Sequence, residues 1–193
     1  QSYAMRVFAG FGEQAVAAFA MIDRIVPVAF GVLFALSGSV GPIMGQNLGA
    51  GLHDRVRRVL LDCFSLTVIY VAAIWVALWF GGPLVVALFG AKGEAARIVL
   101  FFCGWGVAIW FFLGGLFIAN AAFNNLGYPL LSTLFNWGRA TLGTIPFVAW
   151  GAHVGGPEGG LVGMIAGAAL FGVLAAATAL WIAGRLARRA PNS

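Results

Sequence analysis

Gly41-Pro42-Ile43-Met44-Gly45-Gln46-Asn47-Leu48-Gly49-Ala50-Gly51, with Leu52 and then His53-Asp54-Arg55-Val56-Arg57-Arg58, is the stretch that decides how this chain folds. It closes a run from Ile25 to Leu52 that holds no charged residue and then meets a cluster of arginines. A run of this length spans a bilayer as a helix, since about 20 apolar residues at ~1.5 Å rise cover ~30 Å of hydrocarbon. Arginines just past its end mark the cytoplasmic side. Gly41, Gly45 and Gly49, four residues apart, give the helix a flat face for close packing. The chain therefore reads as an all-α, polytopic membrane protein.

Composition leads to the same class. Hydrophobic residues make up 62% of the 193 and charged ones 9%, with a mean hydropathy of +0.97. A soluble domain carries about 25% charged residues, so this chain cannot cover a water-facing surface. The formal charge of +5 does not point to nucleic acid, because the basic residues sit between apolar runs where topology requires them. Cys63 and Cys103 lie in separate apolar runs without CxxC spacing and read as small buried hydrophobes. Enzyme chemistry finds no footing. Ser37 and Ser39 lie in a membrane run with no histidine or lysine inside the spans to activate them, and no glycine-rich phosphate loop carries a lysine. His53 and His153 fall in loops on opposite sides, so no metal site is expected, nor any bound cofactor.

Residues 1–9 resemble the end of a helix whose start is missing, with Gly10-Phe11-Gly12 as the turn that follows. The chain begins at Gln1 without a signal segment and reads as a fragment of a longer protein.

Charge-free runs and Gly/Pro punctuation predict five spans, at about 13–49, 63–80, 98–123, 130–150 and 159–184. The first is too long for one straight crossing, and Pro27 and Pro42 are its expected bend points. Gly81-Gly82-Pro83 is expected to break the second, leaving residues 84–89 as a short interfacial piece. Asn124-Asn125-Leu126-Gly127-Tyr128-Pro129 divides the charge-free stretch from Ile98 to Gly138 into two helices. Residues 151–158 form a glycine-rich turn before the last span, and residues 185–193 form a tail.

Alternating sides places Arg55, Arg57, Arg58, Arg185, Arg188 and Arg189 together, against Arg6, Arg24, Lys92 and Arg97 with four of the six acids. Six against four puts the tail in the cytoplasm of a cell whose inner membrane holds the protein. Gly155, Gly159, Gly163 and Gly167 repeat every four residues into the last span, so backbones can approach closely there, as packing surfaces or as hinges.

Arg139 is the residue hardest to explain as scaffold alone. It lies ten residues after Pro129, close to mid-membrane, where an arginine costs about 2.5–3.5 kcal/mol on insertion scales. Ser132, Asn136, Arg139, Gly143 and Pro146 are spaced to share one face of a continuous helix. Such a stripe faces protein or a water-filled cavity. Arg139 and Asn136 are thus candidates for a substrate or ion pathway, with Asn120, Asp23 and Arg24. The alternatives are a cap or turn role for Asn120, Asn124 and Asn125, and a place just outside the lipid for Asp23 and Arg24. The aromatic run Trp105, Trp110, Phe111, Phe112 and Phe117 suits either flat lipophilic cations or lipid-facing packing.

At this point the residues resemble a known family. Phe11 to Phe19 with Arg24-Ile25, the Gly45-Gln46-Asn47-Leu48-Gly49-Ala50-Gly51 exit with its arginines, and Ala121 to Pro129 with Arg139 and Pro146 stand in the order and spacing of the C-terminal half of a multidrug and toxic compound extrusion (MATE) transporter of the MOP flippase superfamily. Gly45, Gln46, Asn47, Gly49, Gly51, Asn124, Gly127, Pro129 and Pro146 are the positions that carry the likeness. The resemblance implies a six-helix lobe, with five complete spans and the end of a sixth. It also implies exchange of drugs or lipophilic organic cations against sodium or protons, and a second lobe as partner within the membrane lipid. Some relatives carry cation-binding acids in the tenth helix, whereas Ile98 to Phe123 holds no acid. The coupling carboxylate is therefore expected in the absent N-terminal lobe. A lipid-linked oligosaccharide flippase and a non-transporting membrane scaffold are the alternatives.

Overall fold

The computed structural model describes residues 2–189; Gln1 and residues 190–193, the end of the expected tail, lie outside the described residues. Every regular element among them is helical: α1 (Ser2–Ala9), α2 (Glu13–Gly49), α3 (His53–Phe89), α4 (Gly93–Gly104), a 3-10 turn (Gly106–Ala108), α5 (Ile109–Asn125), α6 (Pro129–Ala140) and α7 (Ile145–Arg189). An all-helical answer follows from the solvent. Lipid offers no hydrogen bonds, so each spanning segment must satisfy its own backbone.

Three helix ends use one device. Gly51, Gly90 and Gly127 take positive φ (73°, 64° and 86°), a region that side chains avoid. The next amide then reaches back five residues: Leu52 N–H to Asn47 O at 2.9 Å, Ala91 N–H to Val86 O at 3.1 Å and Tyr128 N–H to Phe123 O at 2.8 Å. These bonds close carbonyls that a helix end leaves open. Pro129 starts α6 at a position where its missing N–H costs nothing. The Gly45-to-Gly51 segment and the Asn124-to-Pro129 segment are thus both helix-exit devices.

α7 is two helices folded back on each other. Gly155 and Gly156 leave the helical region, with Gly156 at φ 61°, and the chain reverses. A Cβ on Gly159 would fall on the Gly151 carbonyl, one on Gly163 on the Phe147 carbonyl and one on Gly167 on the Gly143 carbonyl. The expected glycine spacing therefore serves an antiparallel, backbone-to-backbone hairpin within the chain. The turn expected over residues 151–158 narrows to these two glycines.

Two apolar clusters hold the bundle. One joins Phe8, Phe19, Phe30, Ile98, Phe102 and Trp110, with Phe8 stacked on Phe19 (3.7 Å) and Phe30 on Trp110 (4.4 Å). The other, toward the opposite membrane side, joins Val40, Met44, Val56, Leu60, Phe123 and Ile182. Trp110 is buried and packs on α2, so the aromatic run is not uniformly lipid-facing; Trp105 is exposed.

Three sequence expectations are corrected. Gly81-Gly82-Pro83 does not break α3, which runs on to Phe89. Gly82 instead presses against α4, where a Cβ would stand 3.2 Å from Leu100 Cδ2 and 3.4 Å from Cys103 Cβ. Packing of this kind lets membrane helices carry proline internally. Pro27 and Pro42, the expected bend points of the first span, both lie inside α2. The stretch from Ile98 to Phe123 is not one helix: it starts at Gly93, stops at Trp105 and resumes through the 3-10 turn. The Trp75 indole N–H donates to the freed Gly104 carbonyl.

The third correction concerns the stripe through Arg139. Regular helix ends at Ala140, and Gly143 N–H reaches Gly138 O at 2.9 Å, five residues back. This wider loop shifts the helical phase. Gly143 and Pro146 therefore do not continue the face of Ser132, Asn136 and Arg139, and Pro146 opens α7 instead.

Candidate functional site

Among the described residues the buried polar side chains are Thr67 of α3, whose hydroxyl donates to Cys63 O at 2.9 Å, Asn120 of α5 and Ser132 of α6. Asn120 is 9% exposed, and its side-chain oxygen is buried without a hydrogen-bond partner. It lies more than a turn before the end of α5, so it caps nothing. Asn124 is exposed, and Asn125 spends its amide on Ala121 O at 2.8 Å. Ser132 is buried, and Asn136 donates to its carbonyl at 2.9 Å. Arg139, in the last turn of α6, is half-buried, and its Nε is enclosed without an acceptor. The hydroxyl of Thr144 takes the Arg139 carbonyl at 2.8 Å, which satisfies the backbone where the helix loosens. An unpaired carbonyl oxygen on Asn120 and an unpaired N–H on Arg139 are the two unsatisfied polar atoms of the α5–α6 interior, and burial makes each costly to leave so.

Phe171 sets the depth of α6. Gly138 and Gly143 both lie against its ring, and a Cβ on Gly143 would come within 2.7 Å of it. On the other side of α5, Asn125 rests on the glycine face of α2. A Cβ on Gly41 would stand 2.6 Å from Asn125 Nδ2, and one on Gly45 3.5 Å from Oδ1. Two of the resemblance segments therefore meet in space. Asn47 donates to Ile43 O at 2.8 Å, Gln46 is exposed, and Gly49 ends α2 in open space.

Asp23 and Arg24 are both exposed in the third turn of α2, away from Arg139 and Asn120. Arg24 begins a face that sequence reading missed. Arg24, Pro27, Gly31, Ala35, Gly38 and Pro42 follow helical spacing along one side of α2, with Val28 exposed at the edge of that face. Elsewhere the exterior carries Phe80 (80% exposed), Leu130 (82%) and Leu88 (76%), as a lipid-facing surface does. The small-residue face of α2 is of the other kind, suited to another helix. Exposure, which the sequence does not print, was the missing signal.

Long apolar helices, glycine-mediated backbone contact and a hairpin folded across the bundle define a polytopic helical membrane protein. The MatE family matches residues 3–150, and the chain belongs to that family of membrane transporters. It is similar to the MATE transporter VcmN of Vibrio cholerae in its bent form, with a TM-score of 0.87 and 23% identity over 96% of this chain and 43% of that one. It is also similar to a multidrug resistance MATE family transporter in an outward-facing conformation, at a TM-score of 0.86 and 15% identity over 97% of this chain and 44% of that one. Among curated proteins, an uncharacterized 21 kDa protein of Pseudomonas savastanoi is 34% identical over 86% of this chain and 55% of its own length. An FAD transporter of Shewanella oneidensis is 28% identical over 83% of this chain and 35% of its own length. The chain thus spans about half or less of these relatives.

Proposed function

We propose that the chain is the C-terminal six-helix lobe of a cation-coupled antiporter that exports drugs and lipophilic organic cations. The fold carries this reading: nearly all of the chain superposes on less than half of two MATE transporters. A single lobe cannot alternate access, because rocking needs a second repeat to move against. The small-residue face of α2 is the surface we assign to that contact. The coupling ion, sodium or proton, belongs on an acid of the other lobe, since α5 and α6 hold no carboxylate. Asp23 and Arg24 would flank the mouth of the route, with Asn120, Asn136 and Arg139 along its wall.

A second reading concerns the solute. The interior charge of this lobe is positive, Arg139 with an unpaired N–H, and one relative is an FAD transporter. A flavin nucleotide or similar anionic aromatic solute would satisfy that N–H, where a cation would be repelled.

Inverted vesicles containing the intact parent protein, given in turn a proton or sodium gradient that is high in the lumen and directed outward, test both. Gradient-driven movement of ethidium supports the antiporter of organic cations. Movement of FAD but not ethidium transfers the assignment to anionic solutes. Movement of lipid-linked sugars alone makes the protein a flippase.

A further inference from the structure

A groove of about 370 Å³ opens where α3, α4 and the second helix of α7 meet, lined by none of the polar residues described above. Its walls are Trp79 and Trp105, set edge to face at 5.6 Å. Gly82, Gly104, Leu100 and Cys103 line it between the two indoles, and a Cβ on Gly82 would stand 3.2 Å from Leu100 Cδ2. Trp79 and Trp105 are themselves about half exposed, so the groove looks out from the bundle toward lipid. At its mouth one guanidinium meets two carboxylates: Arg97 Nε lies 3.4 Å from Glu158 Oε1, and Arg97 Nη2 lies 3.5 Å from Glu94 Oε1. Both distances are long for charged hydrogen bonds, so neither carboxylate is saturated.

We propose that this groove holds a phospholipid with an ethanolamine headgroup. Three observations converge on that occupant. The mouth carries one positive and two negative groups, so an anionic headgroup meets net repulsion and a simple cation leaves Arg97 unused. A phosphoethanolamine supplies both charges: its phosphate oxygens accept from the guanidinium, and its ammonium N–H groups donate to Glu158 and Glu94. Arg97 and Trp105 are eight residues apart, about 12 Å along a helix, which is the step from headgroup to upper acyl chain. Indole side chains favour that depth, with an apolar body against the chains and the N–H toward the interface. A choline headgroup has no N–H to give the carboxylates, and a glycerol headgroup has no positive charge at all. The inference rests on the chain spanning a membrane and not on which solute it moves.

Native mass spectrometry of the delipidated full-length protein, mixed with equal amounts of dioleoyl phosphatidylethanolamine, phosphatidylcholine and phosphatidylglycerol, tests it without a transport assay. The ethanolamine lipid should give the dominant adduct, about fivefold over phosphatidylglycerol. The double variant Glu94→Gln, Glu158→Gln frees Arg97 and should invert that preference toward phosphatidylglycerol. If that variant does not purify folded, Arg97→Gln serves instead and should cut the ethanolamine adduct about fivefold. Equal adducts of all three lipids, an ethanolamine preference untouched by these substitutions, or equal binding of phosphatidylcholine would each overturn the assignment.

Discussion

Gly167 lies against the carbonyl of Gly143, so close that a Cβ on Gly167 would occupy the carbonyl's own space. With Gly163 on Phe147 and Gly159 on Gly151, this contact lets the two helices of α7 touch backbone to backbone. In lipid, where apolar surface does not drive helices together, such approach is what holds the hairpin shut.

Gly167→Val should therefore destabilise the protein strongly, beyond the 1–3 kcal/mol typical of an overpacked core, because the obstacle is backbone. Gly155→Ala should be near-silent, since open space surrounds Gly155. Thermal unfolding of the purified variants reads the difference; similar midpoints would mean that the hairpin is not closed as described.

Gly41→Ala should cost stability because its new methyl meets Asn125 Nδ2, while Gly81→Ala, in open space, should not. The double variant Gly41→Ala, Asn125→Ala should recover much of the loss. A double-mutant cycle gives a coupling expected at about 0.5–3 kcal/mol. Additive effects would separate the two segments.

Arg139→Ala should impair transport or assembly far more than Arg188→Ala on the exposed end of α7. Efflux normalised to folded protein is the measurement. Equal and near-silent effects would place Arg139 at a headgroup.

A periplasm-active reporter fused after Ser193 of the full-length protein should stay silent, because the arginines after α2 and in the last turns of α7 favour the cytoplasm. A strong signal would invert the topology.

Trp75→Phe should lower stability by about 1 kcal/mol, the value of one hydrogen bond, by stranding the Gly104 carbonyl. A variant with an unchanged midpoint would show that water or another donor takes its place.

What was legible in the sequence follows a physical line. Helix exits at Gly51 and Gly127 were readable because a left-handed turn demands glycine, and the following Pro129 confirms the restart. The all-helical membrane class was readable from long uncharged runs. Gly82 and Pro83 misled because the breaker rule describes a helix in isolation, whereas here Leu100 and Cys103 pack against the bare backbone. The interruption at Trp105 was invisible, since no proline marks it and its support, Trp75, comes from another helix. The grouping of Arg139 with Asn136 and Ser132 was legible from spacing. Its extension to Pro146 was not, because the wide loop at Gly143 adds a residue that periodicity cannot detect. The α2 face of Arg24, Gly31 and Gly38 needed the packed bundle to reveal which side is left open.

The wide loop between Gly138 and Gly143 works as a fixed rotational offset between α6 and the first helix of α7. One residue of α-helix turns about 100°, so the direction in which Arg139 points is tied to how many residues stand between it and Pro146. Deleting a single residue from 141–144 would leave the helices on either side intact, yet would swing Arg139 about a quarter turn relative to the first helix of α7. Chain length at this one point thus acts as a dial on the azimuth of the lobe's half-buried interior charge.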